Sequence, residues 1–210
     1  MSKNKIALIT GAGTGLGRAI AITLAKQDYS VVLTGRRKEK LREVEKEINK
    51  DCTIVITSDV TKEKSVEELH KTLLEQTDGQ LDLLVNNVDD MTAMGRIGEM
   101  SLEGFNSVIA TNLTSQFLVT KAFLPALRKS QDAKIISVTS MMASYYLEEY
   151  GVYSASKAAV EALMKTLAIE EEKNGVEVHL FDPENVISEG NPTGAKDPME
   201  VMKEIIEMVK

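Results

Sequence analysis

Six short apolar runs rich in β-branched residues recur along this 210-residue chain, at 5–10, 30–34, 53–57, 81–86, 134–139 and 176–181. Longer segments with helical periodicity fill the intervals, at about 15–27, 38–50, 62–77, 101–129, 152–174 and 198–209. This alternation constrains the fold more than any other feature. Parallel strands need a crossover between them, and a helix is the usual one, so the helices come to cover both faces of the sheet. The runs are continuously apolar rather than alternating, as strands covered on both sides are. The expected class is α/β: a doubly wound parallel sheet of about six strands, with residues 1–210 as one domain and a seventh strand absent. The last helix has a clear start, with Asp197 as N-cap, Pro198 in the first turn and Glu200 three residues after the cap.

Composition narrows the functional classes. A 43% hydrophobic, 27% charged chain can bury a sizeable core, and a net charge of −7 offers no general attraction to nucleic acid or an anionic membrane. Cys52 is the single cysteine, which excludes an internal disulfide and a cysteine-cluster metal site; no metal is expected. No apolar stretch is long enough to span a bilayer, and the start, MSKNKIALIT, is too short in apolar residues for a signal peptide. The expected location is a reducing cytosol.

The first apolar run leads into TGAGTGLGRAIA, residues 10–21, with Gly11, Gly15 and Gly17 spaced as TGxxxGxG. Read alone, such a stretch is either a ligand-free strand-to-helix turn or an anion site, in which glycine lets the backbone approach a phosphate and the helix dipole favours negative charge. Its place after the first strand and before an alanine-rich helix points to a dinucleotide, with Thr14 and Leu16 in the same loop. The second strand ends at Gly35, where a carboxylate would bind the ribose 2′-hydroxyl of NAD. Arg36 and Arg37 follow instead. Two guanidiniums suit a 2′-phosphate, so NADP(H) is favoured over NAD(H). The alternative is that both simply begin the solvated next helix.

Further along, Tyr153 and Lys157 stand four apart in YSASK, one helical turn on the same face. A cation within ~4–6 Å of a phenol lowers its pKa from the ordinary value near ~10 toward neutrality, where a general acid works best. On its own such a pair is usually ordinary surface or edge packing. His70 and His179 carry no assigned role. His70 is expected on a solvated helix face, and His179 to alternate along a strand.

Taken in order, TGAGTGLG, Asp59-Val60 after the third strand, Asn86-Asn87, Asn112 in NLTSQFLVTKAFLPAL, Ser140 and YSASK resemble the short-chain dehydrogenase/reductase family, its 3-oxoacyl-[acyl-carrier-protein] reductase-like branch in particular. The resemblance spans about residues 5–187 and implies a Rossmann-like domain. It implies that Tyr153 gives its proton to a carbonyl oxygen, Ser140 bonds that oxygen, and Lys157 holds the nicotinamide ribose and depresses the Tyr153 pKa. By the same resemblance Asn112 holds a water linking Lys157 to solvent, Asp59 contacts the adenine, and Asn86 lies on the adenosine side. With Val60 and Pro183 these complete the cofactor set, and the partner is a small carbonyl or alcohol. The resemblance also implies a homodimer through the two long helices, with a tetramer open.

The chain departs from the family pattern on the nicotinamide side. Val88 and Asp89 replace small residues after Asn86-Asn87, and Asp89 is expected near a pyrophosphate. Glu184 follows Pro183 where the family has glycine, Ser188 replaces a threonine, and the segment 188–197 is a short lid. Met141, Met142, Tyr145, Tyr146 and Tyr150 would make either an apolar substrate rim or a packing contact. The expected function is NADPH-dependent carbonyl reduction. The alternative is a nucleotide-binding protein with weak or no turnover, acting as sensor or partner.

Overall fold

The computed structural model describes residues 4–49, 51 and 53–210; Cys52 lies outside them. The six apolar runs become β1 (Ile6–Thr10), β2 (Ser30–Gly35), β3 (Thr53–Thr57), β4 (Leu83–Asn86), β5 (Ala133–Val138) and β6 (Val176–Phe181). They form one six-stranded sheet in the order β3-β2-β1-β4-β5-β6, and every pairing is parallel. Between them run α1 (Gly15–Lys26), α2 (Lys38–Ile48), α3 (Glu63–Gln76), α4 (Leu102–Ile109), α5 (Ser115–Leu127) and α6 (Gly151–Glu171), with α7 (Met202–Met208) last. This is the Rossmann-like architecture expected.

The period of two along each strand divides the core. Ala7, Ile9, Val31 and Leu33 face α1, α2 and α7 through Ile20, Leu24, Leu41, Val44 and Ile205. Ile6, Leu8 and Val32 face α3 and α5 through Leu69, Leu73, Val119 and Phe123. Edge strand β3 alone lacks fully buried positions. No helix among the described residues is long and apolar enough to cross a membrane.

Two expected helices are subdivided. The 101–129 segment is α4 and α5 joined through a π-helical turn, Ala110–Thr114, which carries Asn112. The final segment opens with a 3₁₀ turn, Pro198–Val201, behind a complete Asp197–Glu200 capping box. One expectation is corrected: His70 is not on a solvated face but packs its ring on Phe123, centroids 5.2 Å apart, where α3 meets α5.

The chain winds outward from β1 to β3, then returns to place β4 beside β1. The loops after β1 and β4 therefore part at the carboxyl edge and open a crevice. Thr10 and Asn87 join their bases. The Thr10 hydroxyl accepts the Asn87 N–H at 2.9 Å, and Asn87 Nδ2 donates to the Thr10 carbonyl, also at 2.9 Å. Gly17 lies against this junction. A Cβ there would meet the Gly11 carbonyl oxygen at 2.2 Å and Asn87 Nδ2 at 2.5 Å. Gly17→Ala is expected to destabilise the protein by about 1–3 kcal/mol through overpacking, measured by chemical denaturation. Glu184 presents the opposite case: it holds φ +58, a left-handed conformation that costs an L-residue energy. Glu184→Gly should stabilise by about 0.5–1 kcal/mol, since the exposed Glu184–Lys196 ion pair it loses contributes little.

Candidate active site

The crevice is a cleft of about 600 Å³ lined by the loops after β1, β2, β3, β4, β5 and β6, a size suited to a cofactor-sized ligand. Gly11, Thr14, Gly15, Leu16, Gly17, Arg36, Arg37, Asp59, Val60, Ser140, Tyr153 and Pro183 all line it. Asn86, Asn112 and Lys157 do not.

At one end, α1 starts with no side-chain cap from Thr14, so its first-turn N–H groups form the ready anion site of a helix N-terminus. A carboxylate already stands there. Glu189, on the 188–197 segment, pairs with Arg37 at 2.5 Å. Its pKa is lowered first by the Arg37 hydrogen bond, and the Thr14 hydroxyl adds to the effect. Arg36 and Lys40 line the same end. Asp59 turns its carboxylate inward on its own loop, accepting the Thr61 hydroxyl at 2.7 Å.

Asn86 points the other way. As the last residue of β4 it faces the sheet interior, donating to the Thr120 hydroxyl at 2.9 Å, while the next residue, Asn87, lines the cleft. The strand's period of two makes this one-residue difference decisive.

At the other end, α6 brings Tyr153 and Lys157 together as the four-residue spacing requires. Tyr153 is 5% exposed and Lys157 fully buried. The Lys157 Nζ lies 5.5 Å from the Tyr153 ring centroid and donates to the Val138 carbonyl at 3.3 Å. Ser140 caps the 3₁₀ turn Met141–Ala143 by accepting the Met142 N–H, and its hydroxyl is near enough to Tyr153 to favour the phenolate.

Asp89 changes the electrostatics expected here. It lines the cleft and reaches both α6 side chains. Its Oδ1 is 3.0 Å from Lys157 Nζ, and its Oδ2 accepts the Tyr153 hydroxyl at 3.0 Å. The Tyr153 pKa stands above its ordinary value: burial raises it first, the Asp89 charge and hydrogen bond raise it further, and Ser140 lowers it. The signal was in the sequence, as the departure at 88–89, but its target was not.

Asn112 is also fully engaged. Its Oδ1 accepts the Asp90 N–H at 2.7 Å, and its Nδ2 donates to the Asp90 carbonyl and the Ser156 hydroxyl, each at 3.1 Å. Its amide thus clamps the loop after β4 onto α6. Met141, Tyr145 and Tyr146 are exposed and do not line the cleft, and Met142 is buried. Tyr150 stacks edge-on to Tyr153 with centroids 6.4 Å apart.

Comparison with known proteins agrees with this geometry. The family model described as short chain dehydrogenase matches residues 5–197. An uncharacterized oxidoreductase of Staphylococcus aureus (strain MRSA252) is 33% identical over 209 residues, 97% of this chain and 90% of that protein. The actinorhodin polyketide ketoreductase solved with NADPH superposes with a TM-score of 0.92 at 26% identity, covering 100% of this chain and 92% of that one. The 3-ketoacyl-(acyl-carrier-protein) reductase from Brucella melitensis, solved with NADH, gives 0.91 at 26% identity over 98% and 91%. A glycine loop at the sheet's switch point, a Ser–Tyr–Lys set at the far end of one cleft and these matches lead to one conclusion: the chain belongs to the short-chain dehydrogenase/reductase family of NAD(P)-dependent oxidoreductases.

Proposed function

We propose that this protein is a cytosolic, NADP(H)-dependent oxidoreductase that interconverts a carbonyl and an alcohol. The observation that carries the reading is that Ser140 and Tyr153, with Lys157 buried behind Tyr153, stand at one end of a cleft whose other end is an anion-binding helix start flanked by Arg36 and Arg37.

The residues fit a dinucleotide. Gly17, where no Cβ fits against the Gly11 carbonyl and Asn87, holds the start of α1 close to β1 at the head of the cleft, the packing a pyrophosphate loop needs. The α1 N–H groups, Thr14, Gly15 and Leu16 would hold that pyrophosphate. Arg36 and Arg37 would hold a 2′-phosphate, Asp59 and Val60 would flank the adenine, and Lys157 and Pro183 would meet the nicotinamide end. When bound, the nicotinamide supplies or accepts the hydride. Ser140 and the Tyr153 hydroxyl receive the substrate oxygen. The Glu189 carboxylate supports a 2′-phosphate site at Arg37, since it pairs with that guanidinium as a phosphate would. Leu102, Phe105, Phe117 and Ile169 stay exposed on α4, α5 and α6, supporting a homodimer through these helices.

A second reading, a nucleotide-binding protein with little turnover, is favoured by Asp89 alone, because the carboxylate engages both Tyr153 and Lys157. Calorimetric titration with NADPH and NADH, followed by a ketone and aldehyde panel read at the nicotinamide absorbance, separates the two. The proposal expects NADPH binding with turnover, and a fall of about 10²–10⁴-fold in kcat for Tyr153→Phe at unchanged NADPH affinity. Binding without turnover across the panel would favour the second reading. Glu189→Gln should tighten NADPH several-fold and leave NADH unchanged; an equal change for both would remove Arg37 from the 2′-phosphate.

A further inference from the structure

Asp89 is held in place from two sides. Its neighbour Asp90 is gripped through both backbone groups by Asn112, whose amide also reaches Ser156, the residue before Lys157 on α6. The loop carrying the carboxylate is thereby fixed to the helix carrying the phenol and the ammonium. Lys157 is fully buried and Tyr153 nearly so, whereas the Asp89 side chain keeps 30% of its surface open and lines the cleft.

The carboxylate can only accept, so the shared proton resides on Tyr153. Removing it would leave a phenolate 3.0 Å from an anion, which agrees with the raised Tyr153 pKa. A phenol in this position is a poor acid or base by itself. It is a good conduit, because its oxygen can take one proton while its own leaves on the other side.

We propose that Asp89 is the terminal proton acceptor and donor of this site, acting on the substrate oxygen through the Tyr153 hydroxyl. The inference rests on the carbonyl–alcohol reading above. In the oxidative direction the substrate O–H bond breaks and its proton passes to Tyr153 Oη, while the original Oη proton passes to Asp89 Oδ2. A bound oxidised nicotinamide would accept the hydride that the substrate carbon gives up as the alcohol becomes a carbonyl. Asp89 ends as a neutral acid, Tyr153 is unchanged, and the proton leaves to solvent from the open edge of Asp89. Reduction runs the same transfers backwards, and no phenolate forms beside the carboxylate. Lys157 supplies the counter-charge at Oδ1. The other charge acting on Tyr153 is Asp182 after β6; the Asp90 carboxylate instead accepts the Thr92 N–H and hydroxyl. With the Asn112 amide fully bonded, Asp89 is the group that joins the buried Lys157 to the cleft that Tyr153 also lines.

Two measurements test this. Tyrosine ionisation followed by ultraviolet difference absorbance should show one phenol titrating at lower pH in Asp89→Asn than in wild type, though still above an exposed tyrosine because burial remains, and the double variant with Tyr153→Phe should lose it. Titration of Asp89→Asn identical to wild type would overturn the contact and the relay. In turnover of phenanthrenequinone with NADPH, Asp89→Gly should lose about 10²-fold or more of its kcat, in the range of a general acid–base contribution. Added formate should restore it saturably, with NADPH affinity confirming an intact fold. An Asp89→Gly variant as fast as wild type or faster would show that the carboxylate merely fills the site, and would overturn the relay while leaving the oxidoreductase reading intact. Wild type that binds NADPH but turns over no quinone overturns both.

Discussion

Lys157 carries an ammonium to a fully buried position, and the chemical end of the cleft is organised around that charge. A buried cation without a partner costs several kcal/mol, so a counter-charge and oxygen acceptors must reach it. Asp89 supplies the first from the loop after β4, and the Val138 carbonyl at the end of β5 supplies the second. These contacts tie α6 to two central strands and fix where the phenol of Tyr153 points. The π turn in the 101–129 segment belongs to the same arrangement, because it carries the Asn112 amide that holds Asp90.

The sheet prepares this meeting place. Reversal of the winding between β1 and β4 puts the glycine loop and the Asp89 loop side by side, joined through Thr10 and Asn87. The same crevice thus receives the helix N-terminus that favours phosphate and the acid–base groups that face a substrate. An internal carboxylate pairs with a cation at each end of the cleft, Glu189 with Arg37 and Asp89 with Lys157. A ligand entering either end competes with a group already in place.

The strand runs were legible because burial on both faces leaves an unbroken apolar pattern that few other environments produce. Gly11, Gly15, Gly17, Tyr153 and Lys157 were legible because local spacing fixes their relation. The π turn was not, because the 101–129 segment reads as one continuous helix and a single wider turn leaves the apolar pattern nearly unbroken. Asn86 and Asn87 could not be told apart without knowing which face of β4 each takes. The partnerships of Asp89 with α6 and of Glu189 with Arg37 join residues far apart in sequence, 64 and 152 positions. Only the path of two loops sets them. That is why Lys157 read as a group that would acidify Tyr153, while the folded chain gives much of its charge to Asp89.

The most direct measurement is label transfer. A ketone incubated with wild-type protein and NADPH deuterated at the transferable nicotinamide position would be analysed by mass spectrometry. The account predicts an alcohol carrying one deuterium on the former carbonyl carbon. NADPH bound at the cleft with no deuterated alcohol formed would contradict it.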